Sequence, residues 1–570
     1  MKDEGLGAMA TEDALLNVTA RLTAVARAMP DAIAVVEPLG HGADGKRRYR
    51  HITFRELEDD SSRIAGGLRA LGVTPGTRLA LLVRPGIDFL SLVVALLKAG
   101  AVIVLIDPGM GRGNLIRCLA EAEPEGFVAI SLVQAVRAIL KRRFPKARLL
   151  VTVGRRWFWG GVTLDDLRKA AGDGGPPAPT RAGDPAAIIF TTGSTGPPKG
   201  VLYSHANLDA QIAEIQGHYQ IRPGEIDLPC FPIFGLFNCA MGVTAVIPDM
   251  DPSHPARVNP ARIVEAIADW NATQAFASPA VLARVGPYCQ AQGIRLATVR
   301  RVLSAGAPVQ AGVLAAMRAC IHPDGDVHTP YGATEALPVA SISASEVLAE
   351  TAARTRQGAG VCVGRKFPKI RWKIIRIVDG PIPSLAEAEE LPAGEIGELI
   401  VHGPVVTRQY VTRREANPLA KIADGRDVWH RMGDAGYLDE QGRFWFCGRV
   451  AHRVVTAAGP MYTIPCEAIF NEHREVRRSA LVGIGPAGEQ RPVIVLEPLE
   501  RRVLRSPADR ERLLADARQL GQASRLTAAI RDFLVHEEFP VDVRHNAKIF
   551  REKLAVWAAR KLGTPAPSGR

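Results

Sequence analysis

The chain has 570 residues, too many for one ordinary hydrophobic core, so two or more domains are expected. Its 47% hydrophobic and 23% charged residues are the balance of a soluble globular protein. The formal charge of +12 comes from scattered basic residues, with short clusters such as Lys141-Arg142-Arg143 and Arg413-Arg414 in place of a sustained run, which argues against nucleic acid as a partner.

Residues 1–10 lack a basic stretch followed by an apolar core, so no secretory signal is expected and the protein is read as cytoplasmic. Apolar positions at helical spacing predict a helix within 11–30, and 32–37 then reads as a strand. A buried strand at 78–83, a helix at 88–98 and a strand at 101–106 follow in the rhythm of parallel βαβ units. The apolar run 89–106 is long enough to raise the question of a membrane span, but Lys98 and Gly100 split it into a helix and a strand, and no transmembrane segment is expected. Residues 172–184, rich in Gly and Pro, form a loop that delivers the chain to the apolar strand at 186–190.

Beyond that loop, 387–404 shifts to turns and short strands, and 443–447 is a strand ending at Gly448-Arg449. Two more strands are predicted at 480–483 and 492–496, and 506–537 is predicted to be largely helical. The tail 564–570, with two prolines and a glycine, is expected to be disordered. Eight widely spaced cysteines include no CxxC pair, so they read as reduced, buried thiols with no zinc or redox role.

The segment Thr191-Thr192-Gly193-Ser194-Thr195-Gly196-Pro197-Pro198-Lys199-Gly200 carries the strongest chemistry. Its glycines leave backbone N–H groups free to face an anion, its four hydroxyls can donate to phosphate oxygens, and Lys199 adds a mobile positive charge. The lysine precedes a glycine and a strand and does not open a helix, so the spacing is not that of a P-loop and a different nucleotide fold is required. A flexible linker of similar composition would lack the apolar strands on both sides.

This loop, with Tyr203-Ser204-His205-Ala206-Asn207-Leu208 after it, resembles the adenylate-forming superfamily of acyl-CoA synthetases, adenylation domains and luciferase. The resemblance extends in order through LKAGAVIVLIDP at 97–108, LSAGAP at 303–308, YGATEA at 331–336, GEIGELIVHGP at 394–404, GDAGYLDEQGRFWFCGR at 433–449 and a late Lys548. It implies an α/β fold: a large N-terminal adenylation domain of several subdomains over 1–449, and a small mobile α+β lid over 450–570. It also implies ATP and Mg²⁺ as cofactors. By the same resemblance Glu335 is the Mg²⁺ ligand, Thr334 meets the α-phosphate, and Tyr331 stacks on adenine beside Gly332 and the small Gly306-Ala307-Pro308 run. Asp434 would hold the ribose hydroxyls with Arg449 as the positive partner, and Lys548 would reach the acyl carboxylate and α-phosphate during adenylation. That last task is electrostatic, because the pentavalent phosphorus carries added negative charge.

The chain also departs from the thioester-forming members. After Gly448-Arg449 it reads VAHRVVTAAGP, where those members place an acidic pair and then Ile-Lys before a glycine, so use of CoA is not expected. At 231–236 Gly235 stands where many acyl-CoA synthetases carry a gating histidine. With Phe231, Phe234, Phe237 and Met241 it predicts an apolar acyl wall, to which His205 is added as a substrate-side residue; a simple turn glycine explains Gly235 equally well. The wording RVVTAAGPMYTIPCEAIF and FPVDVRHNAKI is similar to the β-lactone synthetases of bacterial long-chain olefin biosynthesis. That resemblance implies a long-chain 2-alkyl-3-hydroxyalkanoic acid as substrate, an acyl-AMP intermediate, and the substrate's own hydroxyl as the nucleophile. His205, His430 and His452 are the candidate bases, and the sequence does not choose among them. Relatives in the pathway act beside a condensing enzyme, a reductase and a lactone decarboxylase, so a complex with such enzymes is an expectation. The alternatives are a conventional long-chain acyl-CoA synthetase and a non-catalytic scaffold of the same fold.

Overall fold

The βαβ rhythm of the first half is realised as a seven-stranded sheet among the described residues, in the order Val162–Thr163, Leu149–Val153, Gly126–Ile130, Arg78–Leu82, Val102–Leu105, Pro185–Phe190, Gly200–Ser204. The first six strands run parallel and the last antiparallel. The computed structural model describes residues 12–170, 172, 174–191, 196–541 and 549–564. Of the residues singled out from sequence, Thr192, Gly193, Ser194, Thr195 and Lys548 lie outside these, as does the tail beyond Thr564.

A second sheet, fourteen-stranded among the described residues, has a parallel centre of Ile226–Pro229, Gln274–Ala277, Arg301–Ser304 and Asp326–Ala333. It turns antiparallel at Ala336–Ser343 and continues through Val361–Lys366, Phe444–Arg449, Asp427–Leu438, Gly397–His402 and Arg371–Ile375. The helices Phe54–Ala70, Ile87–Lys98, His205–Tyr219 and Phe234–Met241 contribute to one apolar core that joins the two sheets. Ile87–Lys98 is apolar almost all round and buried throughout except at Asp88, as such a helix must be. Lys98 closes it inside the protein, its ammonium bound to Glu58 at 2.9 Å and to the Ser62 hydroxyl at 2.8 Å. Among the described residues no helix is long and apolar enough to cross a membrane.

The architecture is α/β, and two local expectations are corrected. The helix expected within 11–30 covers only Ala20–Ala28, because the preceding residues dock as extended chain: the Leu16 N–H donates to the Thr180 carbonyl and the Asn17 amide to the Leu97 carbonyl, both at 2.9 Å. The helix expected through 506–537 runs from Pro507 to Ala523 and stops. Asp532–Val535 is instead a strand parallel to Arg491–Pro498, its Phe533 ring 5.7 Å from that of Phe470. Residues after Arg449 build cores of their own. One face of the Val476–Ile484 and Arg491–Pro498 pair, with Leu481, Ile494 and Leu496, packs under Thr463–Asn471 and Pro507–Ala523, while the opposite face, with Ala480, Val482, Val493 and Val495, packs on Arg551–Lys561.

Candidate active site

Thr334 and Glu335 form the two-residue tip of the hairpin between Asp326–Ala333 and Ala336–Ser343, with Ala333 and Ala336 paired across it. So short a connection fixes where its side chains point, and three neighbours clamp it further. The Tyr203 hydroxyl donates to the Thr334 carbonyl, and the Thr407 N–H and hydroxyl both donate to the Glu335 carbonyl, at 2.9 and 3.0 Å. The Glu335 carboxylate is buried and accepts from the Tyr410 hydroxyl at 2.5 Å. Burial, and then the Glu335 charge, push the Tyr410 phenol far above its ordinary value, so it stays a donor.

Asp434 faces Arg449 across an antiparallel pair, and the register alone brings their side chains together, with Arg449 donating at 2.8 Å. The Tyr331 hydroxyl donates to the other Asp434 oxygen, and burial keeps that phenol protonated. Thr191 and Lys199 close the phosphate loop: the Thr191 N–H donates to the Lys199 carbonyl at 2.9 Å and the Lys199 N–H to the Thr191 hydroxyl at 3.0 Å. The Lys199 ammonium lies 4.9 Å from the centre of the Tyr410 ring.

These groups line one cleft of about 2430 Å³, together with Gly196, Gly306, Ala307, Pro308 and Gly332. Several buried polar atoms facing it have no partner among the described residues, including Arg449 Nε, Ser304 Oγ and Ser278 Oγ. Unpaired donors of this kind fit a polar ligand such as a nucleotide. Glu335 supplies one hard carboxylate beside the phosphate loop, which fits Mg²⁺, an ion usually held by one or two carboxylates and the phosphates of its nucleotide.

The other end of the cleft is apolar, and here the structure divides the expected residues. Phe231, Phe234 and Phe237 line it, Phe234 stacked on Phe276 with ring centres 3.6 Å apart. Gly235, Met241 and His205 do not. Gly235 faces the other way, where an added Cβ would lie 3.0 Å from the Leu90 methyls, so the glycine permits two helices to approach and does not open the acyl wall. Met241 is core. His205 is fully buried beneath the N-terminal segment, its Nδ1 accepting from the Val18 N–H at 3.3 Å, and burial pushes its pKa down to about 4.

Of the three candidate bases only His452 borders the cleft. Burial, then Arg551 and Arg449, push its pKa down to about 3, so it is a neutral imidazole at physiological pH. His430 is held well below the ordinary range by burial and by Lys421, and its Nδ1 meets the Ala420 carbonyl at 3.0 Å. The chain just after Lys548 reaches the site, since Ile549, Phe550 and Arg551 line the cleft and Arg551 pairs with buried Glu467 at 2.7 Å.

Sequence reasoning missed Tyr410, Thr407 and Lys421. They stand in or beside an irregular stretch with no periodicity to mark them, and their hydrogen bonds converge on Glu335, directly from Tyr410 and Thr407 and through Thr407 from Lys421. The Lys421 ammonium donates to the Thr407 carbonyl, and burial pulls its pKa down to about 7.

The hairpin tip, the Asp434–Arg449 pair and the phosphate loop together define an adenylate-forming ligase. The AMP-binding enzyme family matches residues 22–411, and the chain belongs to that family. It is 47% identical over 554 residues to the olefin beta-lactone synthetase of Xanthomonas campestris, covering 96% of this chain and 98% of that one, and equally to that of Stenotrophomonas maltophilia. That likeness places it among the olefin beta-lactone synthetases. A long-chain-fatty-acid–CoA ligase of Thermus thermophilus is 26% identical over 460 residues, covering 78% of this chain and 80% of the ligase. The fold is shared with the amide bond synthetase McbA from Marinactinospora thermotolerans, at a TM-score of 0.74 and 22% identity over 92% of this chain and 97% of that one.

Proposed function

We propose that the enzyme uses ATP and Mg²⁺ to convert a long-chain 2-alkyl-3-hydroxyalkanoic acid into a β-lactone by way of an acyl-AMP. The observation that carries this reading is the single cleft with a nucleotide end and an aromatic, apolar end, in a chain so similar to enzymes named for that product.

In the first step a carboxylate oxygen bonds to the α-phosphorus and diphosphate leaves. Lys199 and Arg449 meet phosphate charge, Asp434 holds the ribose, Tyr331 flanks the base, and Lys548 stabilises the crowded phosphorus. Bound at Glu335, Mg²⁺ would neutralise charge on the phosphates. In the second step the substrate's 3-hydroxyl oxygen bonds to the acyl carbon, the bond to AMP breaks, and the hydroxyl proton leaves. The tether makes this attack intramolecular, and the high-energy adenylate offsets the strain of a four-membered ring. His452, which borders the cleft, is our candidate to take that proton, although burial beside Arg551 and Arg449 makes it a weak base.

No thiol is needed in this scheme. The test is purified enzyme with ATP, Mg²⁺ and a 2-alkyl-3-hydroxy acid, analysed by mass with and without CoA. A product lighter by one water, formed without thiol, is expected; strict dependence on CoA would replace this reading with an acyl-CoA ligase. Co-purification with other enzymes of the olefin pathway would test the proposed complex separately.

A further inference from the structure

The helix Ser131–Ile139 is turned inside out. Its buried side chain is Gln134, whose amide donates to the Phe127 and Val151 carbonyls at 3.1 and 3.0 Å. Leu132, Val136 and Ile139 share the opposite face and are 65%, 45% and 79% exposed. At the first turn of this helix the Ser131 hydroxyl donates to the Arg155 carbonyl at 2.5 Å, which ties in a loop carrying Trp157 and Phe158. Both aromatics are exposed and rest on buried Trp159, with ring centres 5.1 and 5.3 Å away. Exposed apolar side chains gathered around one helix and the loop tied to it mark an interaction surface.

Charge and position indicate what covers it. From residue 126 to 161 the chain has eight Lys or Arg and no Asp or Glu, against a net charge of +12 for the whole. Exposed Lys141, Arg142 and Arg143 follow the helix at one end, and exposed Arg155 and Arg156 stand at the other. The stripe is also the lip of the cleft, because Leu132, Val133 and Val136 line it together with Leu115 and Ile116.

We propose that this face seats the enzyme on an anionic lipid bilayer, so that a two-chain acid passes from the membrane into the cleft without crossing water. The nature of that cargo rests on the function proposed above, whereas the docking itself does not. An aliphatic stripe bracketed by cations is the pattern of a helix lying in a bilayer interface. Each Lys or Arg near an anionic leaflet adds attraction, and tryptophan settles at headgroup depth. A complementary protein would account for the charge but not for an apolar stripe that runs on into an apolar cleft.

The test is co-sedimentation of the full enzyme with phosphatidylcholine vesicles and with vesicles of phosphatidylcholine mixed with phosphatidylglycerol. Binding to the anionic vesicles alone is expected, weakening as salt is added. The triple variants Ile139→Ser/Trp157→Ser/Phe158→Ser and Lys141→Glu/Arg142→Glu/Arg143→Glu should each weaken it by roughly tenfold or more. Both should keep wild-type ATP–diphosphate exchange on a short, water-soluble 3-hydroxy acid, which reports that they fold. In the unaltered protein, anionic vesicles should shift tryptophan fluorescence to the blue, and Trp157→Phe should remove the shift. The proposal is overturned if the wild type ignores anionic vesicles, binds both kinds equally, or binds undiminished in the variants. It is also overturned if the face proves to pair with a second copy or an acidic protein while vesicles are left unbound. Vesicle binding without lactone formation would instead refute the proposed reaction and leave the docking standing.

Discussion

The two ends of the cleft are built on different principles. At the nucleotide end the side chains are aimed by backbone: Thr334 and Glu335 by a two-residue hairpin, Asp434 and Arg449 by strand register. At the acyl end they are aimed by a helix, Phe234–Met241, in which each residue turns about 100° from the last, so that side chains close in sequence spread around the axis. Phe234 and Phe237 face the cleft while Gly235 faces Leu90 and Met241 faces the core. A motif read in sequence therefore locates strand and hairpin residues well and helix-wall residues poorly.

The largest effect belongs to the nucleotide end. Glu335→Gln should lower adenylate formation by about 10²-fold or more, measured by ATP–diphosphate exchange, because it removes charge where we propose that the metal and phosphates meet. Retention of most activity would remove Glu335 from the metal site. Tyr410→Phe deletes only the hydroxyl that orients Glu335 and should cost roughly 10- to 100-fold, the usual range for a group holding a metal ligand. Its apparent Mg²⁺ requirement should rise, which a general loss of stability would not produce.

The aromatic residues of the acyl end should act on binding more than on rate. Phe237→Ala is expected to raise KM for a long-chain acid by roughly tenfold, in proportion to the apolar surface it loses, with little change for a short-chain acid. Gly235→Ala sharpens the contrast. It should cost about 1 kcal/mol of stability through crowding at Leu90 and leave chain-length preference unchanged. A shift in chain length would return Gly235 to the acyl wall.

How much was legible follows the same division. The βαβ order and the meeting of Glu335, Asp434 and Arg449 on one cleft were legible because loops and strand ends carry distinctive residues at fixed spacing. The strand Asp532–Val535 was not, since a short apolar run after a helix has no period of its own until Arg491–Pro498 offers a partner. Nor was Tyr410, a lone tyrosine whose importance exists only in three dimensions. His205 follows a loop motif directly, yet its side chain is claimed by Val18 and serves to hold the N-terminal segment.

The smallest expected effect concerns that histidine. Its folded pKa of about 4 lies below the ordinary value near 6.5, so the unfolded chain takes up a proton that the folded chain does not. The stabilisation is fully present above about pH 6.5 and is lost as pH falls toward 4. His205→Gln should flatten the fall in unfolding free energy across that window, measured by denaturant titration at several pH values. An unchanged slope would contradict the burial of a neutral imidazole.

The order of events in the proposed reaction can be read from oxygen atoms. With both carboxylate oxygens of the hydroxy acid labelled with oxygen-18, activation of the carboxylate sends one label to AMP, leaves one in the lactone carbonyl and makes the ring oxygen the unlabelled one from the hydroxyl. Unlabelled AMP beside a lactone carrying both labels would mean that the hydroxyl, and not the carboxylate, had been activated, and acyl-adenylate chemistry in this cleft would be refuted.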